Sequence, residues 1–186
     1  MSFISRIPEN EGSMASILKA YPDIALPIAM LTEYVMREEH SQLTMAEREL
    51  IATYVCDLNA CSYCARTHQA AAEAHGIDST VFSALIDDIE TAPVEKKLKP
   101  IFYYVKKLTL SPASMSQADA DSVFRAGWNE EAFHFAVTIC GMFNFYNRLL
   151  EGYGIKNTKE HYEKSGRALA KTGYMHITEG TSKQSG

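Results

Sequence analysis

The sequence predicts an all-α fold, and three observations carry that prediction. Apolar residues recur at spacings of three and four over most of the chain. Period-2 alternation bounded by turn residues is scarce. Capping residues and glycines stand where the periodic runs begin and end. Helices are expected over 13–20, 24–39, 45–58, 60–75, 79–89, 94–108, 117–126, 130–152 and 158–172.

The boundary chemistry can be followed in chain order. Thr44, with Glu47 three residues on, makes a capping box before the third helix. Asn59 is a suitable N-cap for the fourth, and Asp78 for the fifth. Pro93 and Pro112 suit helix starts, whereas Pro100 lies inside the sixth run and marks either its true first turn or a kink. Asn129 caps the eighth helix, and Gly76, Gly127 and Gly154 fall where C-caps call for positive φ. Residues 1–176 are read as one helical domain, and the polar end 177–186 as a mobile tail.

Two segments echo each other. "EAHGI" at 73–77 and "EGYGI" at 151–155 both close a long helix, and at that offset Cys64 pairs with Met142 and His68 with Tyr146. The echo suits a duplication in which only the first unit, about 44–76, keeps reactive residues and the second spans about 116–156. Two helices that share a C-cap would explain it equally well.

Composition excludes several classes. At 186 residues the chain is long enough for a core without disulfide or metal staples. A net charge of −5 with no strongly basic run disfavours a nucleic-acid partner. No window approaches the apolar length of a membrane span, and "MSFISRIPENEGS" lacks the pattern of a signal peptide, so a cytoplasmic location with no membrane partner is expected.

"NACSYCARTHQAA", residues 59–71, is the chemical centre of the sequence. Cys61 and Cys64 fall in the first turns of a predicted helix, where the helix dipole is expected to favour thiolate. A spacing of three puts both sulfurs on one face, and His68 follows Cys64 by one turn, within reach for proton exchange. Glu49 lies twelve residues before Cys61 on a helix joined by a short turn, so a hairpin would bring its carboxylate to His68. These groups suffice for a thiol redox cycle through sulfenic acid and disulfide. Zinc is the rival, with Cys61, Cys64 and His68 joined by Cys56, Cys140 or Glu49; inert thiols in a binding module are a third reading.

The offsets Glu49, Cys61, Cys64 and His68 resemble the signature of the AhpD-like alkylhydroperoxidases in the carboxymuconolactone decarboxylase superfamily. "NRLLEGYGI" at 147–155 and "GRALAKTGY" at 166–174 are similar to its peroxidase-related branch. The resemblance implies an all-helical domain assembling as a trimer or hexamer, with the site near a subunit interface. It implies Cys64 as the peroxidatic cysteine, Cys61 as its resolving partner, and His68 and Glu49 as a proton relay. Tyr63 stands where the best-known relatives carry histidine, as a relay phenol or a site-lining residue. The substrate implied is hydrogen peroxide or an organic hydroperoxide, and the reductant an external lipoyl or thioredoxin-like dithiol. No cofactor or metal is implied, since no flavin, haem or nicotinamide motif occurs. General dithiol–disulfide exchange and decarboxylase or lactone chemistry are the alternatives within reach of that resemblance.

Elsewhere, structural roles are expected. Cys56 and Cys140 sit in apolar runs and should be core, with Cys56 a candidate second resolving thiol. His134 should be a core or interface histidine, and His40, His75, His161 and His176 have no constellation around them. Arg148, in "FNFYNRLLEG", should be a buried guanidinium paired with Glu73 or Glu151. The aromatic clusters, with Met30, Met36 and Met142, should fill core or interface, while "REEH" and "EKKLK" should be solvated.

Overall fold

Nine consecutive residues, Arg48 to Cys56, are buried, which makes α3 (Met45–Leu58) the axis of the molecule. A helix buried on all sides has no polar stripe, which is why "LIATYVC" is largely apolar and its Thr53 hydroxyl returns to the Glu49 carbonyl. The computed structural model describes residues 2–8 and 12–178. Around α3 stand α1 (Met14–Ala20), α2 (Ala25–Arg37), α4 (Ser62–Ala74), α5 (Thr80–Asp87), α6 (Lys99–Leu110), α7 (Gln117–Arg125), α8 (Glu130–Gly152) and α9 (Lys159–Thr172), with no strand among the described residues. One apolar cluster runs from Ile7 to Tyr174. Within it, α3 packs on α4, α5, α6 and α8, and α9 covers the outer side of α4.

All nine expected helices form, with displaced ends. The Thr44–Glu47 capping box is present, and Asn129 Oδ1 accepts from the Ala132 N–H. Gly76, Gly127 and Gly154 have positive φ, and the echoed segments close with the same pair of backbone bonds, Ile77 to Ala72 and Ile155 to Leu150. Pro100 is in the first turn of α6, so that helix starts at Lys99 behind a 3-10 turn. Pro93 starts no helix, and Pro112 opens only a 3-10 turn. Ser79 replaces Asp78 as the N-cap of α5, while Asp78 Oδ1 accepts from the Thr80 N–H. Ile177 and Thr178 end a 3-10 turn, Met175–Thr178, instead of beginning the tail; residues 179–186 lie outside the described residues.

The buried guanidinium is at Arg48, and Arg148 is exposed, donating to the Asn144 carbonyl and side chain, while Glu151 is held by Lys156. Among the described residues Arg48 makes no ion pair with a carboxylate. It donates to the carbonyls of Leu43, Val35 and Glu38 and stacks 4.7 Å from the Phe135 ring, tying the end of α2 to the start of α3. Burial lowers its pKa from the ordinary guanidinium value.

Cys56, Cys140, Met36 and Met142 are buried as expected. His134 is exposed, which removes it from the core. Met30 is exposed too, on an outer face of α2 with Leu26, Leu31 and Tyr34. Arg37 of "REEH" folds back to donate to the last carbonyls of α9. Among the described residues no single helix is long and apolar enough to cross a membrane; α1 and the following segment Pro22–Arg37 pass that test jointly, but are bent by 113°.

Candidate active site

The turn between α3 and α4 builds the site. Asn59 ends α3 instead of starting α4, and its amide donates to Asn144 and Asn147 of α8. Ala60 then takes positive φ, and the Cys61 N–H returns to the Cys56 carbonyl. Cys61 itself is the N-cap of α4, so Cys64 and His68 follow along its first two turns. The hairpin sets Glu49 against them: His68 Nδ1 donates to Glu49 Oε2 at 2.8 Å, with both residues buried. Because that bond occupies Nδ1–H, Nε2 is left as the proton-accepting nitrogen of the neutral ring.

A residue beyond the expected set joins the Glu49–His68 pair. The Tyr174 hydroxyl donates to Glu49 Oε1 at 2.5 Å, and its ring stacks parallel to His68 at 6.2 Å. Burial, reinforced by the neighbouring carboxylate, raises the Tyr174 pKa well above the usual phenol value, so it remains a donor. Its delivery depends on Gly173, whose φ of 74° and ψ of −163° form a combination that essentially only glycine adopts. Glu33 then accepts from the Tyr174 N–H. The segment "GRALAKTGY" thus has a local explanation: Gly166 lets α9 lie on α4, where a Cβ would stand 2.2 Å from the Thr67 carbonyl, and Gly173 turns the chain so that Tyr174 enters the site.

A cavity of about 350 Å³ reaches this cluster. Of the four cysteines only Cys64 lines it; Cys61, three residues before it, is fully buried. Tyr63 and His68 line the same space. His161 and His176, which the sequence left without company, line it as well, and His161 Nε2 is 3.3 Å from the Tyr63 hydroxyl. Tyr146, the echo partner of His68, is a further wall residue, held by Thr32 at 2.6 Å.

The thiols are not acidified, contrary to the helix-dipole expectation. The Cys61 pKa is raised by its bond with Cys64 and by burial. That of Cys64 is raised well above the ordinary thiol value by a bond with Cys56 and by burial, which outweigh the opposing bond from Cys61. Thiol–thiol hydrogen bonding and desolvation both disfavour the charged form here. Burial also raises the Tyr63 pKa. Zinc would need at least three converging ligands, and among the described residues no such group of His, Cys, Asp and Glu is placed to hold a metal ion.

Comparison with known proteins follows this geometry. The carboxymuconolactone decarboxylase family matches residues 22–92, the stretch that holds Glu49, Cys61, Cys64 and His68. An uncharacterized peroxidase-related protein from Silicibacter sp. TM1040 has a similar structure, with a TM-score of 0.73 and 24% identity over 82% of this chain and 79% of its own. A second, from Ralstonia eutropha JMP134, described as an alkylhydroperoxidase AhpD core, has a TM-score of 0.72 and 20% identity over 82% and 80%. A protein of unknown function from Agrobacterium tumefaciens, described as an AhpD antioxidant-defence candidate, has a TM-score of 0.63 and 19% identity over 76% and 95%. No curated protein matches the chain. The family match covers residues 22–92, and the three solved structures share the all-helical fold expected from the sequence.

Proposed function

We propose that this chain, with the superfamily's motif on residues 22–92 and an AhpD-like fold around it, is a thiol peroxidase that reduces hydroperoxides through Cys64 and Cys61. The observation that carries the reading is the placement of Cys64. It alone of the cysteines meets the cavity, with the buried Cys61 thiol one turn away and His68, bonded to Glu49 and through it to Tyr174, lining the same space.

The raised thiol pKa assigns the relay its task. Cys64 must lose a proton before it can attack, and His68, held in one tautomer by Glu49, is the base that takes it. The Cys64 thiolate attacks one peroxide oxygen, the O–O bond breaks, and the departing alkoxide or hydroxide receives the proton held on His68. Cys64 is now a sulfenic acid. The Cys61 thiol displaces its hydroxyl, forming the S–S bond and releasing water. An external dithiol, lipoyl or thioredoxin-like, would return two electrons and two protons to reset the pair.

The exposed face of α2, with Leu26, Met30, Leu31 and Tyr34, supports a homo-oligomer, since an apolar patch of this kind commonly marks an interface. A trimer or hexamer and a cytoplasmic setting belong to the same proposal. The decarboxylase reading, favoured by the name of the matched family, makes no use of two adjoining thiols.

The test is a thiol count and intact mass before and after one equivalent of cumene hydroperoxide, in wild type and in Cys64→Ser. The expected result is loss of two thiols and two hydrogens from the wild type and none from the variant. Unchanged peroxide consumption in both Cys64→Ser and Cys61→Ser would remove the proposal.

A further inference from the structure

The cavity is larger than its reaction centre needs. Its roughly 350 Å³ would hold about ten waters at liquid density, several times the space hydrogen peroxide requires. Met14, Ile28, Leu150, Ala168 and Leu169 give its walls apolar stretches between the polar groups. The polar groups have an uneven distribution. Among the described residues no acidic side chain lines the cavity, and Lys164 of α9 lies on its rim beside His161. Lys164 is exposed and pairs with no carboxylate among the described residues. Its neighbour Glu163 is already engaged by Arg167 at 2.8 Å and Lys159 at 3.8 Å.

At the inner end a second observation points to a ligand. Thr67, between Cys64 and His68 on α4, lines the cavity and is only 4% exposed, and its hydroxyl has no hydrogen-bond partner. A helical threonine ordinarily returns its hydroxyl to a carbonyl one turn back. An orphaned buried donor beside the nucleophile is explained if a substrate oxygen completes it.

We infer that the cavity selects an amphipathic anion: an organic hydroperoxide whose peroxy oxygen is held by the Thr67 hydroxyl next to Cys64, whose chain lies on the apolar walls, and whose carboxylate meets Lys164. This rests on the peroxidase reading for its chemistry, and on the cavity alone for its binding. The carboxylate end remains at the rim, where solvent and a fixed cation offset its desolvation.

Two experiments separate the claims. The first compares linoleic acid hydroperoxide with its methyl ester in wild type and Lys164→Gln. The acid is expected to have the higher kcat/KM in wild type, with that preference reduced about fivefold in the variant, the upper range for an exposed ion pair. Equal use of acid and ester, or a preference untouched by Lys164→Gln, overturns the inference while leaving the peroxidase intact. The second titrates the reduced protein with decanoate and with decanol by calorimetry. Decanoate should bind more tightly, and the difference should shrink in Lys164→Gln. If no peroxide is consumed but this difference is seen, the anion site stands and the peroxidase reading fails; no difference removes the anion site whatever the activity.

Discussion

Replacing Tyr174 by Phe isolates the one member of the relay that comes from the far end of the chain. The ring, its stacking on His68 and its burial are kept, and only the hydroxyl bonded to Glu49 at 2.5 Å is lost. A hydrogen bond to a charged, buried acceptor contributes about 1.5–3 kcal/mol. For a chain of this size about 2 kcal/mol corresponds to a fall in Tm of about 4–8 °C. Calorimetry at fixed protein concentration would read it, since oligomerisation makes Tm concentration-dependent. The interaction can be separated from general damage by a double-mutant cycle with Glu49→Gln. The two changes share one contact, so their combined cost should fall short of the sum by about 1–2 kcal/mol. Strict additivity would refute the account, because it would mean that the phenol and the carboxylate do not meet.

Further outcomes follow from the same geometry. Gly166→Ala places a Cβ 2.2 Å from the Thr67 carbonyl and 2.7 Å from the Ala70 Cβ, so it should cost about 1–3 kcal/mol in denaturant unfolding and lower peroxide turnover as α9 moves off α4. Cys61 and Cys64 keep their protons in the fold by virtue of their thiol–thiol bonds and burial, whereas the unfolded chain releases them above about pH 8.5. The unfolded state then binds fewer protons, so stability should be full below that pH and fall above it, by up to about 1.4 kcal/mol per pH unit for each thiol, as read by urea melts of the reduced protein. Met30→Glu on the exposed face of α2 should lower the assembly's mass in light scattering while leaving helix content unchanged.

The helices were legible because their signals are local. Periodicity, the Thr44 capping box and the three positive-φ glycines each depend on residues within one turn. The Glu49–His68 contact was also legible, since a hairpin with a very short turn leaves few ways to place two helices. Tyr174 was not, because its place in the site depends on Gly173 and on Glu33, 141 residues before it. His161 and His176 were missed for the same reason: their company comes from other helices. Arg48 was hidden by its partners, which are three backbone carbonyls and leave no trace in side-chain pattern. The aromatic run that pointed to Arg148 instead belongs to a helix that shows one face to the outside, with Phe145 exposed beside it.

The thiol expectation failed in a way that bears on mechanism. A helix N-terminus stabilises a well-solvated thiolate, whereas Cys64 is only 3% exposed, meets the cavity with little of its surface, and has Cys56, Cys61 and Asn147 as side-chain partners. A site that only needed a reactive sulfur would place it at the surface. On the proposed reading the sulfur is kept protonated until His68 removes the proton, and His68 is fixed by a carboxylate which Tyr174 also holds. On that reading reactivity belongs to the relay more than to the cysteine. Glu49→Gln should slow peroxide consumption at neutral pH by about the 10²- to 10⁴-fold expected of general base catalysis. It should slow iodoacetamide alkylation of Cys64 much less, because a long incubation samples the rare thiolate without needing a timed proton transfer. Equal slowing of both reactions would show that Glu49 acts on the thiol pKa itself and that His68 carries no proton in the peroxide step.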